Sequence, residues 1–222
     1  MKIGIITFPG SNCDDDVYDS LMRSGGFELT KLWHKDTPEL SDYKLIVLPG
    51  GFSYGDYLRC GAMAARSPIM EKVIEFAKRG GLVIGICNGF QILCESGLLP
   101  GALARNLSLN FICKDIKVTV ETSKTPWTQT IEARSTLNLP IAHGEGRYII
   151  SEEDYQELIK NGQVVLTYQD NPNGSTHQIA GLCNKEKNVF GLMPHPERAS
   201  DLRSKDGLKI WQSLKSFLGQ QS

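Results

Sequence analysis

Gly80-Gly81-Leu82-Val83-Ile84-Gly85-Ile86-Cys87-Asn88-Gly89-Phe90-Gln91 is a short apolar run, opened by a glycine pair, that passes into a cysteine. Its length and its Val and Ile content predict a buried strand, and Ile92, Leu93 and Cys94 continue it as a helix. Outward from it the same kind of run recurs at Lys2 to Phe8, Glu28 to Trp33 and Lys44 to Leu48. Between these runs, Val17 and Leu21 sit at helical spacing in Asp14 to Ser24, as do Ile69, Val73, Ile74 and Ala77 in Ser67 to Lys78. Strand and helix in alternation predict an α/β fold: a three-layer sandwich with a mostly parallel central sheet and helices on both faces. In such sheets chemistry collects beyond the carboxyl ends of the strands.

From Leu107 to Ile150 alternating and β-branched residues predict a small antiparallel excursion or a flap of a mixed sheet. Helical and strand patterns then return: a helix near Glu152 to Lys160, strands near Val164 to Tyr168, Ile179 to Cys183 and Val189 to Met193, and a last helix from Asp206 to Leu218. No repeat, low-complexity tract or long linker interrupts the chain, so residues 1–222 read as one domain.

The 222 residues carry 24 Lys and Arg against 25 Asp and Glu, a near-neutral balance that argues against a broad nucleic-acid surface. No apolar stretch approaches the roughly 20 residues that span a bilayer, and the N-terminus reads as a first strand, not a signal peptide. Cys13, Cys60, Cys87, Cys94, Cys113 and Cys183 contain no C-x-x-C pair, so neither a zinc site nor a disulfide framework is expected. The Asp14-Asp15-Asp16 run fails the calcium-loop pattern and is expected to cap the first helix and complement its dipole. Asn106-Leu107-Ser108 and Asn173-Gly174-Ser175 match a glycosylation sequon without further meaning in a protein expected in the cytoplasm.

Cys87 stands between a strand end and a helix N-terminus, where the turn exposes a side chain above the sheet and the helix dipole favours thiolate. On this segment alone a buried core cysteine is an equal reading. At the end of another predicted strand, Met193-Pro194-His195-Pro196-Glu197 offers a base and a carboxylate to orient it, with Pro196 keeping His195 extended. Leu48-Pro49-Gly50-Gly51 adds a strand followed by a glycine turn. There the N–H groups of Gly51 and Asn88 could meet a developing oxyanion, or the glycines could simply let the chain turn. Cys94 reads as core. Tyr54, Tyr57 and Arg59 read either as a cover for the site or as a contact for another protein.

Together Gly85 to Gln91, Pro49 to Gly51 and His195 to Glu197 resemble the triad-type (class I) glutamine amidotransferase domain. More narrowly, the chain is similar to the family of glutaminase subunits of phosphoribosylformylglycinamidine synthase. The marks of that family are Phe8 to Asp14, Gly51 to Asp56, Ala142 to Gly146, Asn171 to Ser175 and Gly191 to Arg198. The resemblance implies a flavodoxin-like amidotransferase fold in which Cys87 attacks the side-chain amide of L-glutamine. It makes His195 the acid and base, Glu197 its orienter, and Gly51 and Asn88 the oxyanion hole. Gln91, His143 and Gly144 are then expected to hold the substrate, with His143 the competing candidate for the base. A related cysteine hydrolase, or a scaffold without catalysis, are the alternatives.

The chain has no P-loop and no dinucleotide fingerprint, and a single glutaminase domain leaves no room for a synthetase. No cofactor or metal is expected in it. The resemblance instead implies a large ATP-binding synthetase partner, which would hold ATP and magnesium, and a small third subunit. Ammonia would pass between sites in a step of purine biosynthesis that turns formylglycinamide ribonucleotide into formylglycinamidine ribonucleotide.

Overall fold

The computed structural model describes residues 1–56, 59–201 and 204–220. Strands β1 (Lys2–Thr7), β2 (Glu28–Trp33), β3 (Leu45–Leu48) and β4 (Leu82–Ile86) alternate with helices α1 (Asp14–Ser24) and α2 (Pro68–Lys78), and α3 (Asn88–Glu95) follows β4 after one residue. The chain continues through β5 (Ala102–Ala104), β6 (Ile112–Val120), β7 (Thr136–His143), β8 (Arg147–Ile149) and α4 (Glu152–Lys160). It ends in β9 (Val164–Tyr168), β10 (Ile179–Cys183), β11 (Val189–Leu192) and α5 (Asp206–Gly219).

Nine strands make one sheet in the order β2-β1-β3-β4-β11-β10-β9-β6-β7. Neighbours from β2 to β11 run parallel, and those from β11 to β7 run antiparallel. Every residue of β3 and β4 is buried, which is why these strands read as unbroken apolar runs. β6 alternates between buried and exposed positions over its second half, as a sheet with one wet face requires. The expected antiparallel excursion resolves into two parts. β6 and β7 extend the central sheet itself, while β5 and β8 form a separate two-stranded sheet.

Local chemistry sets the helix ends. Pro68 opens α2, where a missing N–H costs nothing, and the Ser151 hydroxyl caps α4 by accepting from Asp154 N–H at 3.1 Å. The acids of α1 occupy its first turn as expected for the dipole, but they do not cap it. The N-cap is Cys13, with no side-chain cap bond, and Asp14 instead accepts from Lys31 Nζ at 2.9 Å and Thr7 Oγ1 at 3.2 Å. α3 lies close on β3 because Gly89 has no side chain: a Cβ there would stand 2.0 Å from the Leu48 carbonyl oxygen. On α5, Trp211 is fully buried and donates to Ser20 Oγ at 2.7 Å, fastening the last helix to α1. Among the described residues no helix is long and apolar enough to cross a membrane.

Candidate active site

The parallel strands β1, β3, β4 and β11 end on the same edge of the sheet, and each is followed there by a segment expected to carry chemistry. Cys87 leaves β4 with φ 50° and ψ −104°, a left-handed backbone that a side chain adopts only under strain. Neighbouring structure holds it there. Its N–H donates to Leu192 O of β11 at 2.8 Å, and α3 begins at the next residue. The thiol contacts Ala142 O at 3.7 Å, so β7 closes over Cys87 from the far side of the sheet.

His195 sits three residues beyond β11, extended at φ −102°, ψ 89°, with its N–H bound to Pro140 O at 2.8 Å. Its Nδ1 lies 2.6 Å from Glu197 Oε1, and both side chains are almost wholly buried. Burial opposes charge on the imidazole, but the Glu197 carboxylate and then Cys87 outweigh it, and the pKa of His195 is held well above the ordinary 6.5. Bonding through Nδ1 leaves Nε2 as the nitrogen available to another group.

Gly51 follows β3 with φ 132°, and a Cβ there would lie 2.7 Å from Asn12 N, so only glycine fits. The bond that pairs this turn with the loop after β1 runs from Phe52 N–H to Gly10 O at 3.1 Å, leaving the N–H of Gly51 itself facing away from that loop. Asn88 is the first residue of α3, where N–H groups have no helical acceptor. Its side chain accepts from Ser53 N at 3.3 Å and donates to Gln91 Oε1 at 2.8 Å. Gln91 in turn donates to Glu145 O at 2.6 Å, so it braces the 143–146 loop as well as lining the cavity over Cys87. Gly51, His143 and Gly144 line the same cavity, whose volume is about 350 Å³.

The chain matches the family model for the CobB/CobQ-like glutamine amidotransferase domain over residues 1–216. It is 53% identical to phosphoribosylformylglycinamidine synthase subunit PurQ of Trichormus variabilis over 217 residues, 96% of either chain. This chain belongs to the glutamine amidotransferase family. The subunit PurQ of Alkaliphilus metalliredigens is 52% identical over 221 residues, covering 98% of this chain and 97% of the relative. Among solved structures, PurLQS from Thermotoga maritima contains a chain that superposes with TM-score 0.90 at 48% identity and 98% coverage of both.

In this amidotransferase the residue that sequence reading misplaced is Asn106. Read there as an incidental sequon, it is fully buried and every polar atom of its side chain is used. Its Oδ1 accepts from His143 Nδ1 at 3.0 Å and Gly146 N at 3.1 Å, while its Nδ2 donates to Asn110 O and His143 O, both at 2.8 Å. This arrangement assigns the His143 proton to Nδ1 and leaves Nε2 a bare acceptor. Burial, then the nearby His195, lower the His143 pKa to about 4, so it is neutral at working pH and lacks the carboxylate partner that His195 has. Asn173 and Ser175, also from a sequon, bind Gly146 O and Tyr148 N and complete the frame.

Tyr54 turns away from the cavity, its hydroxyl 2.8 Å from His34 Nδ1, and Arg59 pairs with Glu95 at 2.7 Å. Tyr57 lies outside the described residues. Ligand atoms of Cys13, His195 and Glu197 lie within 4.8 Å of one another, a spacing a metal ion could accept. Arg198 Nη2 donates to Cys13 Sγ at 3.1 Å, however, which sets a fixed positive charge against that position. Cys94 is half-buried, with its thiol toward Pro100 O at 3.7 Å, away from the triad.

Proposed function

We infer that this chain is the glutaminase subunit of phosphoribosylformylglycinamidine synthase, using Cys87, His195 and Glu197 as its catalytic residues. The observation that carries the chemistry is the strained Cys87 at the N-terminus of α3, bonded through its N–H to the strand that delivers the buried His195–Glu197 pair. Cys87 Sγ attacks the carboxamide carbon of glutamine, and its proton passes to His195 Nε2. The carbonyl oxygen, now negative, meets the N–H groups of Gly51 and Asn88. His195 returns the proton to the amide nitrogen as the C–N bond breaks, leaving a glutamyl thioester and ammonia. Water, deprotonated by His195, then attacks the thioester and releases glutamate. Glu197 keeps the imidazole in one tautomer and stabilises its charged form.

Ammonia is consumed by a large synthetase subunit, accompanied by a small third subunit, in a complex like that named in the Thermotoga maritima structure. ATP and magnesium belong to that partner, which activates the amide oxygen of formylglycinamide ribonucleotide for displacement by ammonia. Ammonia free in water near neutral pH is mostly ammonium and a poor nucleophile, which gives the complex a reason to pass it on directly. The setting is the cytoplasm.

The test is amidine synthesis by the assembled complex with either glutamine or ammonium salt as nitrogen donor. Cys87→Ala is expected to abolish the glutamine-dependent reaction and spare the ammonia-dependent one. Unchanged glutamine-dependent synthesis would overturn the reading.

A further inference from the structure

The cavity over Cys87 is lined by two residues that each carry a hydrogen-bond acceptor left without a partner among the described residues. Asp56 lines it, and its Oδ1 is buried with no partner. His143, 3% exposed, lines it too, and its Nε2 is likewise unpartnered and can only accept. Two bare acceptors in one cavity call for a ligand that brings N–H donors. Glutamine brings two such groups, the carboxamide and the α-ammonium. The choice between the acceptors follows from charge: a neutral imidazole suits the neutral amide, and a carboxylate suits the cation.

The surroundings of Asp56 fit a missing cation. Burial, followed by the charge of Glu145, pushes its carboxyl above the ordinary carboxylate range, and the Cys60 thiol bonded to it brings no charge. The described cation on this cavity is Arg105, which stands at the mouth with its side chain 77% exposed and reaches only Glu145, at 3.6 Å. Asp56 is also held in place by its backbone. Tyr54, Gly55 and Asp56 take consecutive left-handed conformations at φ 56°, 68° and 55°. That turn is anchored by Tyr54 N–H to Pro9 O at 2.6 Å and by the Tyr54 hydroxyl on His34 and Ser67. A chain strained to present a carboxylate whose inner oxygen has no partner indicates a function for that oxygen.

We propose that Asp56 is the specificity-determining residue that receives the α-ammonium group of the glutamine substrate, with Arg105 at the mouth facing its α-carboxylate. The assignment rests on the glutaminase reading above and deepens it. Entry of the ammonium supplies a positive charge and a hydrogen bond together, so amides without an α-amino group are rejected because they leave the inner oxygen of Asp56 without a partner.

The experiment compares wild type and Asp56→Asn in the assembled complex, reading glutamate-side product and ammonia from three amides. These are glutamine, 5-amino-5-oxopentanoate, which lacks the amino group, and 4-aminobutanamide, which lacks the carboxylate. Asp56→Asn is expected to raise KM for glutamine roughly 10- to 100-fold with little change in kcat, the cost of a lost charged hydrogen bond. Discrimination against 5-amino-5-oxopentanoate should collapse, while discrimination against 4-aminobutanamide should persist. Equal losses on glutamine and 5-amino-5-oxopentanoate, or a KM unchanged within twofold, would overturn the proposal. Circular dichroism and alkylation of Cys87 by iodoacetamide establish that the variant is folded, and Asp56→Glu, which keeps the charge, should recover part of the discrimination. Failure of the glutaminase reading would look different, since wild type would then release no ammonia from glutamine.

Discussion

His195 Nδ1 and Glu197 Oε1 stand 2.6 Å apart inside a protein shell that exposes neither side chain, although only Pro196 separates them in sequence. The carboxylate comes from the same short turn as the imidazole, so the role proposed for Glu197 is to set the tautomer and charge of His195. Glu197→Gln is therefore expected to leave the fold and glutamine affinity nearly intact while lowering kcat by roughly 10²- to 10⁴-fold. A loss seen mainly in KM would contradict this role. Steady-state glutaminase rates in the complex make the measurement.

Gly50 lies between Cys87 and His195. A Cβ on it would come 2.8 Å from His195 Cε1 and 3.4 Å from Cys87 Cβ. Gly50→Ala should displace the imidazole and lower kcat at least tenfold. Gly219→Ala is its control, since a Cβ there meets nothing within 4 Å and helix α5 gains up to about 1 kcal/mol. Equal activity of the two variants would show that the packing around Gly50 yields without moving the base.

Asn106 gives a prediction about a residue that touches no reacting atom. Asn106→Ala strips partners from His143 Nδ1, the Gly146 amide and two carbonyls, and should cost about 2–4 kcal/mol of stability by chemical denaturation. Asn106→Asp keeps the shape but adds an anion beside His143. The His143 pKa should then rise above its native value of about 4, which imidazole NMR titration reads directly.

Acid stability follows from the same histidine. Its pKa of about 4 in the fold lies below the ordinary 6.5 of an unfolded chain, so as pH falls the unfolded state takes the proton first. The contribution is present above pH 6.5 and is lost between 6.5 and about 4, amounting to about 3 kcal/mol in full. His195 has the opposite sign. Its raised pKa contributes stability at low pH that fades as pH rises through the folded value. His143→Gln should flatten the stability profile between pH 4 and 6.5, measured by urea unfolding, and leave the alkaline side unchanged.

The strand that ends at Cys87 was legible because a strand buried on both faces must be apolar throughout and because glycines flank the turn, features that survive as local sequence. Proline punctuation at a strand end marks the His195–Glu197 segment in the same local way, but the burial of both side chains was not legible there, since those residues alone read as a surface turn. Nor was the frame around them. Asn106 reads only as part of an incidental sequon, and nothing near it in sequence reveals that its four side-chain hydrogen-bond partners include residues from 143 to 146. Asp56 is hidden likewise, since its place beside Glu145 depends on a cavity built from four separate segments. The alternation in β6 announced a strand with one wet face, but pairing partners at long range decide which sheet it joins.

β11 lies between β4 and β10, and it reaches its place only after nearly all of the sheet has been synthesised. The hydrogen bond from Cys87 to Leu192 then marks a moment in the life of the chain as well as a contact. A chain made only as far as β10 holds Cys87 but neither His195 nor Glu197. Cys87, His195 and Glu197 therefore come together only in a chain whose central strand has closed.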